Sequence, residues 1–368
     1  MTSLCVDDVA TPRSLYPQLR NVSANKRRQV YWQCTAVFFT ISVRCNPEAR
    51  HLLYTNDDKA TIWDGIDFCV FLIDLGINIK LLPFKLFRPL EHFLTEFRNA
   101  FYKLNAFFAL SQPEAGPHSL LLNSDCVWTR PSPTLTQSIQ SESLLLLDAE
   151  PESLPDIKIC SLNWRDIGDL YRELDLTYLV EAEAPLHFGG EIIGGSRVHL
   201  SEVAEQLRDA WEQIVKTYSL APLRFCNQRN IFDGDECMTS FVCNHMPRLW
   251  TDASPFIRHV WTSYQNKNVR FTDVQLPLWH LPNEKIQGLP VLSRRVVDQN
   301  SHYWKLPLEA LAGYLGSYLR VLHPVWRLRR LLTLATKLPR LLLITKCLLQ
   351  PSTLILLPDL VSFFSPHL

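Results

Sequence analysis

Apolar and polar positions along the chain alternate in blocks that suit strand and helix in turn. Between Arg28 and Val43 aromatic and β-branched residues dominate the first half, which predicts a buried strand leading into a helix. His51-Leu52-Leu53-Tyr54 is a short apolar run that ends in Thr55-Asn56-Asp57-Asp58, a second strand with a wet carboxyl end. Asp67 to Leu75 reads as a helix closed by Gly76, and Ile77 to Phe84 as a third strand. Phe97, Phe101, Leu104, Phe107 and Phe108 recur at helical spacing, which predicts a helix over 97–110. Ser119 to Trp128 reads as a fourth strand interrupted by Asn123-Ser124-Asp125. Val203, Leu207, Ala210, Trp211 and Ile214 mark one face of an amphipathic helix over 200–218. Asp233-Gly234-Asp235-Glu236 reads as a turn feeding a helix with acids in its first turn.

This alternation predicts an α/β fold with a mostly parallel, doubly wound sheet flanked by helices. In such sheets ligands bind outside the carboxyl ends of the strands. Asn56, Asp57, Asn123 and Asp125 fall at those ends. The expected domain runs over 29–305, with 129–155, rich in Ser, Pro, Leu and Gln, as a loop or insertion. Residues 1–28, polar and punctuated by proline, read as a loose N-terminal arm. Residues 306–368 read as a basic, apolar helical tail. From Ala310 to Pro358 the tail has no acidic residue and seven Lys or Arg. Pro324, Pro339, Pro351 and Pro358 divide it, so it is a poor membrane span and a fair interfacial segment. Peripheral contact with an anionic membrane through 310–358 competes there with packing on the domain.

Composition narrows the function classes. Formal net charge is zero, with 37 basic and 37 acidic residues. No polyanion-binding face follows, and nucleic acid is not an expected partner. The ten cysteines include no Cys-x-x-Cys pair, so a structural zinc site is disfavoured. Buried reduced thiols and a first segment without an apolar core fit a cytoplasmic protein, with the cytoplasmic face of a membrane as the variant location. Oligomeric state is open.

The chemistry concentrates at Leu120-Leu121-Leu122-Asn123-Ser124-Asp125. Breaking a sugar–phosphate bond leaves negative charge on a diphosphate, which a divalent cation or basic groups must take up. Oxygen ligands at the tip of a buried strand suit Mg²⁺ or Mn²⁺. Asn123-Ser124-Asp125 resembles the Asp-x-Asp signature of GT-A glycosyltransferases, with its first member changed to Asn. Arg98 to Leu104 resembles the helix before that motif, and Thr55-Asn56-Asp57 the contact to nucleobase or ribose. Phe188-Gly189-Gly190-Glu191 resembles the acceptor-side segment, and Asp233 to Glu236 the acidic turn before a helix. His280 stands where some such families place a late metal or phosphate ligand. The resemblance covers residues 28 to 304.

That resemblance implies a GT-A-like fold and transfer of a sugar from a nucleotide-diphospho-sugar, UDP-sugar by default. The acceptor would be a hydroxyl of a glycan or lipid-linked molecule. It implies Mn²⁺ or Mg²⁺ held by Asp125, Asn123 and His280. It places Asp57, Asn56, Arg98, Lys103, Asn123, Gly189 and Gly190 against the donor. A general base, needed only for inversion, would be Asp235 or Glu236, with Glu191 second. The altered Asn123 also admits a catalytically silent binding or scaffold protein. A nucleotidyltransferase ranks lower, because residues 30–50 lack the glycine that a triphosphate loop needs.

Overall fold

In the computed structural model, the residues described are 2–4, 19, 22–59, 62–93, 98–141, 143–149, 186–220, 225–226, 229–230, 234–244, 246, 250–264 and 267–321. The chain begins with β1 (Thr2–Leu4), α1 (Ala24–Cys45), β2 (Leu52–Thr55) and the hairpin β3 (Ile62–Trp63) and β4 (Ile66–Asp67). There follow α2 (Phe68–Asp74), β5 (Asn78–Leu81), α3 (Tyr102–Leu110), β6 (His118–Asn123) and β7 (Cys126–Trp128). Then come α4 (Pro133–Ile139), β8 (Leu144–Asp148), β9 (Phe188–Ser196) and α5 (Arg197–Thr217). A second hairpin, β10 (Phe225–Cys226) and β11 (Arg229–Asn230), precedes α6 (Asp235–Asn244), β12 (Trp250–Asp252), β13 (Ile257–His259) and β14 (Leu278–His280). Helices α7 (Gly288–Val297), α8 (His302–Lys305) and α9 (Leu308–Tyr318) end the described chain.

The main sheet has seven strands in the order β12-β8-β9-β6-β1-β2-β5. Strands β1, β2, β5 and β6 are mutually parallel, as are β8 and β12. Strand β9 alone runs antiparallel, to β6 on one side and β8 on the other. From β1 the chain steps one way to β2 and β5 and the other way to β6, so the topological switch lies between β1 and β6. A second, three-stranded sheet has the order β13-β14-β7.

The predicted mixed α/β architecture is what forms. Side chains on a strand alternate between faces. Leu145, Leu147 and Ile192 enter one core with α1, α7 and α9, while Leu144, Leu146 and Ile193 enter the other with α3, α5 and α6. Helices therefore cover both faces, and a sheet buried on both sides reads as an unbroken apolar run.

Several expectations need correction. Residues 30–43 are not strand then helix but one helix, α1, capped by Ser23, whose side chain accepts from Lys26 N. It is buried nearly all round, from Val30 to Ser42, so its polar stripe is missing and its aromatic content imitated a strand. The arm over 1–28 contains β1, which fills the centre of the main sheet, and the first turn of α1. The segment 129–155 is no mere insertion, since it supplies α4 and the core strand β8. The tail reading also fails at its start. Leu311, Leu315, Leu319 and Val321 are fully buried in the α1-side core, so α9 belongs to the domain. Residues 322–368 lie outside the described residues. Among the described residues no helix is long and apolar enough to cross a membrane.

Candidate active site

The turn after β6 is where the two sheets meet. Strand β6 ends at Asn123 beside Ser3 of β1, and two residues later β7 opens in the smaller sheet. Asp125 sits in that turn, 1% exposed, with its backbone carbonyl accepting from Leu281 N. In the smaller sheet His259 pairs in register with His280, and His280 with Cys126. Two short strands, Ile257-Arg258-His259 and Leu278-Trp279-His280, thus each end in an imidazole at the same level. Strand β9 runs against β6, so its first residues, Phe188 to Glu191, lie at the carboxyl end of β6.

These elements bring together a buried cluster of charge. Asp125 Oδ2 lies 3.0 Å from Lys285 Nζ and 3.3 Å from His280 Nε2. Glu191 Oε1 lies 2.9 Å from His259 Nδ1 and 3.2 Å from His280 Nδ1. Lys103, in the first turn of α3, forms an ion pair with Asp235 at 2.9 Å and donates to the carbonyl of Gly190. Glu236 Oε2 lies 3.4 Å from His187 Nε2. Asp235 and Glu236 occupy the first turn of α6, where the helix dipole favours negative charge.

Burial and neighbours set the ionisation states. Burial alone would raise the Asp125 carboxyl, but Lys285 and His280 outweigh it and hold the group well below the usual carboxylate range. Burial would lower His280, yet Asp125 carries it up to about 9. Glu191 is likewise held well below its ordinary value against burial, first by its bond to His259. Lys103 is raised because Asp235 overcomes its desolvation. Asp235 itself sits above its ordinary value, since burial outweighs the attraction of Lys103. The ion pair at 2.9 Å shows both groups spent on each other. Glu236 is lowered, because the His187 contact outweighs desolvation.

The glycine pair makes the cluster possible. Neither Gly189 nor Gly190 has positive φ, so space is the reason for them rather than backbone freedom. A Cβ on Gly190 would meet Lys103 Nζ at 2.6 Å and Asp235 Oδ2 at 2.8 Å, and one on Gly189 would strike the Glu191 carboxylate. We expect Gly190→Ala to cost about 1–3 kcal/mol of stability, the usual penalty of overpacking, and to break the Lys103–Asp235 pair. Chemical denaturation measures the first effect. A wild-type midpoint would show that the neighbours give way freely.

Of the residues singled out from sequence, the cluster holds Lys103, Asp125, Gly189, Gly190, Glu191, Asp235, Glu236 and His280. Asp57 is elsewhere and fully engaged. Its carboxylate accepts from Arg28 through Nε and Nη2 at 2.9–3.1 Å and from Trp32 Nε1 at 2.8 Å. It ties α1 to the end of β2. Asn56 follows β2 and Asn123 ends β6, both partly exposed at the carboxyl edge. Arg98 heads the 3-10 turn Arg98–Phe101 that precedes α3. The sequence reading missed Lys285, His259 and the role of His187. Arg258 interrupts the apolar pattern beside His259, so no local signal marked that histidine.

No family model matches the sequence, and no curated protein matches it. Among solved structures, mouse xyloside xylosyltransferase 1 in its apo form is similar, with a TM-score of 0.42 and 12% identity. The similarity covers 76% of this chain and 95% of that one.

Proposed function

We propose that the chain is a glycosyltransferase that moves a sugar from a nucleotide-diphospho-sugar to an acceptor hydroxyl. The observation that carries the proposal is the convergence of Lys103, Asp125, Glu191, Asp235, Glu236 and His280 at the carboxyl edge of a mostly parallel sheet. That edge, beside the β1/β6 switch, is where open α/β sheets bind nucleotides. The nucleotide then lies along Asn56, Asn123 and Arg98, and its diphosphate faces the cluster. UDP-sugar is the donor implied by the resemblance of the Asn123-Ser124-Asp125 motif, and a glycan or lipid-linked molecule the acceptor.

Glu236 is the general base in this scheme. Its side chain is 33% exposed, whereas those of Asp235 and Glu191 are 7% and 2% exposed. The acceptor oxygen attacks the anomeric carbon as its proton passes to Glu236. The bond from that carbon to the phosphate oxygen breaks, and its electron pair stays on the diphosphate. His187 positions Glu236. Displacement assisted by a single base gives inversion at the anomeric carbon.

A divalent ion on Asn123, Asp125 and His280 does not fit this arrangement. The Asp125 side chain is 1% exposed and its Oδ2 already lies 3.0 Å from the Lys285 ammonium nitrogen. A second cation on that oxygen would be pressed against Lys285. No step above runs through an ion.

The alternative, a silent binding or scaffold protein, draws support from the same engaged Asp125. Titration calorimetry of the full chain with UDP- and GDP-sugars, with and without divalent cations, tests the main reading, together with release of free sugar from each donor. Saturable binding of one donor with slow hydrolysis is expected. Absence of binding to every donor under every condition would sink the transferase.

A further inference from the structure

We infer that Glu191, His259 and His280 form the seat of a divalent transition-metal ion, with Asp125 and Lys285 standing behind it. One ligand atom from each of the three residues lies within 4.8 Å of the others. An ion that holds its ligands at about 2.1 Å sets neighbouring ligand atoms about 3.0–3.4 Å apart at octahedral or tetrahedral corners. The contacts of Glu191 Oε1 with His259 Nδ1 and His280 Nδ1, at 2.9 and 3.2 Å, match that spacing.

The polar atoms also fail to satisfy one another. Glu191 Oε2, His259 Nε2 and His280 Nδ1 are buried without an aligned hydrogen bond. Buried polar atoms are almost always paired, so Glu191 Oε2 and His280 Nδ1, on groups that already face each other, need a common partner. A cation supplies it.

The scaffold is built to hold the rings still. His259 stacks on Trp261, with centroids 4.5 Å apart and planes inclined by 22°. Adjacent register positions on β13 and β14 fix His259 against His280. His280 faces Glu191 with Nδ1 and Asp125 with Nε2. A ligand imidazole whose other nitrogen donates to a carboxylate is the usual way a protein orients a metal-bound histidine. Asp125 takes that positioning role, and Lys285 neutralises its remaining charge.

Two imidazoles and one carboxylate select among cations. Imidazole suits Zn²⁺, Fe²⁺, Co²⁺ and Ni²⁺, whereas Mg²⁺ wants oxygen. The need for an ion, though not the geometry of its seat, rests on the transferase reading. Four carboxylates, Asp125, Glu191, Asp235 and Glu236, share the site with two ammonium groups, Lys103 and Lys285, and with the imidazoles of His187, His259 and His280. A diphosphate adds negative charge beside those carboxylates, and a cation on this seat would offset it.

The test uses CoCl₂, ZnCl₂ and MgCl₂ on the full chain without nucleotide. Equilibrium dialysis with metal analysis is expected to find one equivalent of Co²⁺ or Zn²⁺, with visible d–d absorption for Co²⁺ and a raised melting temperature. Mg²⁺ at equal concentration is expected not to displace either ion. Glu191→Gln and His259→Ala are expected to lose the equivalent. Asp125→Asn should keep the stoichiometry and weaken binding about 10- to 100-fold. Failure of the wild-type chain to bind Co²⁺ and Zn²⁺ overturns the inference, and this outcome is independent of how any variant folds. Abolition by Asp125→Asn with retention in His259→Ala also overturns it, because the ion would then sit on the strand-end motif. Metal binding by a chain that binds no sugar nucleotide would leave the seat standing and remove only the transferase.

Discussion

Replacing Asp125 by alanine is expected to destabilise the protein by about 3–5 kcal/mol, the cost of stripping one partner from a buried ion pair. The carboxylate touches Lys285 and His280, both buried, and each would be left charged beside an apolar methyl. Against a typical domain stability of about 5–15 kcal/mol, such a loss brings many chains near unfolding at body temperature. Urea denaturation measures it. The double variant Asp125→Ala with Lys285→Met removes both charges of the closer pair, and should recover much of the stability without recovering activity. A single variant with the wild-type midpoint would show that the pair contributes nothing. The sign with pH follows from the same contact. The folded carboxyl is held below its unfolded value, so its contribution is complete above about pH 4 and is lost only as pH falls toward the folded value. Any loss of turnover in Asp125→Ala must therefore be read beside a folding measurement.

Glu236→Gln separates chemistry from folding. The amide keeps the size of the side chain and its reach toward His187, so the melting temperature should stay close to that of the wild type. The turnover number should fall about 100- to 10,000-fold, the contribution of a positioned base. Donor affinity, read by calorimetry, should be unchanged, because the base acts on the acceptor. His187→Asn should give a smaller fall in turnover with the same pattern. Unchanged turnover in Glu236→Gln would remove the residue from the mechanism and return the choice to Asp235 or to a route that needs no base.

The fold class was legible because strand and helix signals alternate, and because strands buried on both faces leave apolar runs such as Leu120 to Leu122 and Leu144 to Leu147. What was not legible has particular causes. Helix α1 is enclosed on every side, so it lacks the amphipathic stripe by which helices are recognised. Strand β1 is three residues long, and its place beside β2 and β6 is fixed by long-range pairing. Strand β8 lies among Ser and Gln residues whose composition suggests a loop. At the site, carboxylates attached to apolar strands declared themselves. Lys285 did not, because a lysine in a short 3-10 turn, Pro282–Ile286, carries no local mark of the Asp125 it meets 160 residues away. The partners of Asp57 were hidden in the same way: only the fold reveals Arg28 and Trp32 upon it.

Strand β9 is the one antiparallel member of the main sheet, and it has a neighbour on each edge. It is also buried from Phe188 to Gly195. Glu191 and the glycine pair lie just before Ile193 and Gly194, the residues of β9 that pair with β6 on one side and β8 on the other. Opening at those two positions requires tearing the middle of the sheet, so amide exchange at Ile193 and Gly194 is tied to global unfolding, while a loop-borne site would exchange through local fluctuations. A substrate or an ion meets a site whose spacing is already fixed, and small changes in ligand size are translated into affinity instead of being absorbed by movement.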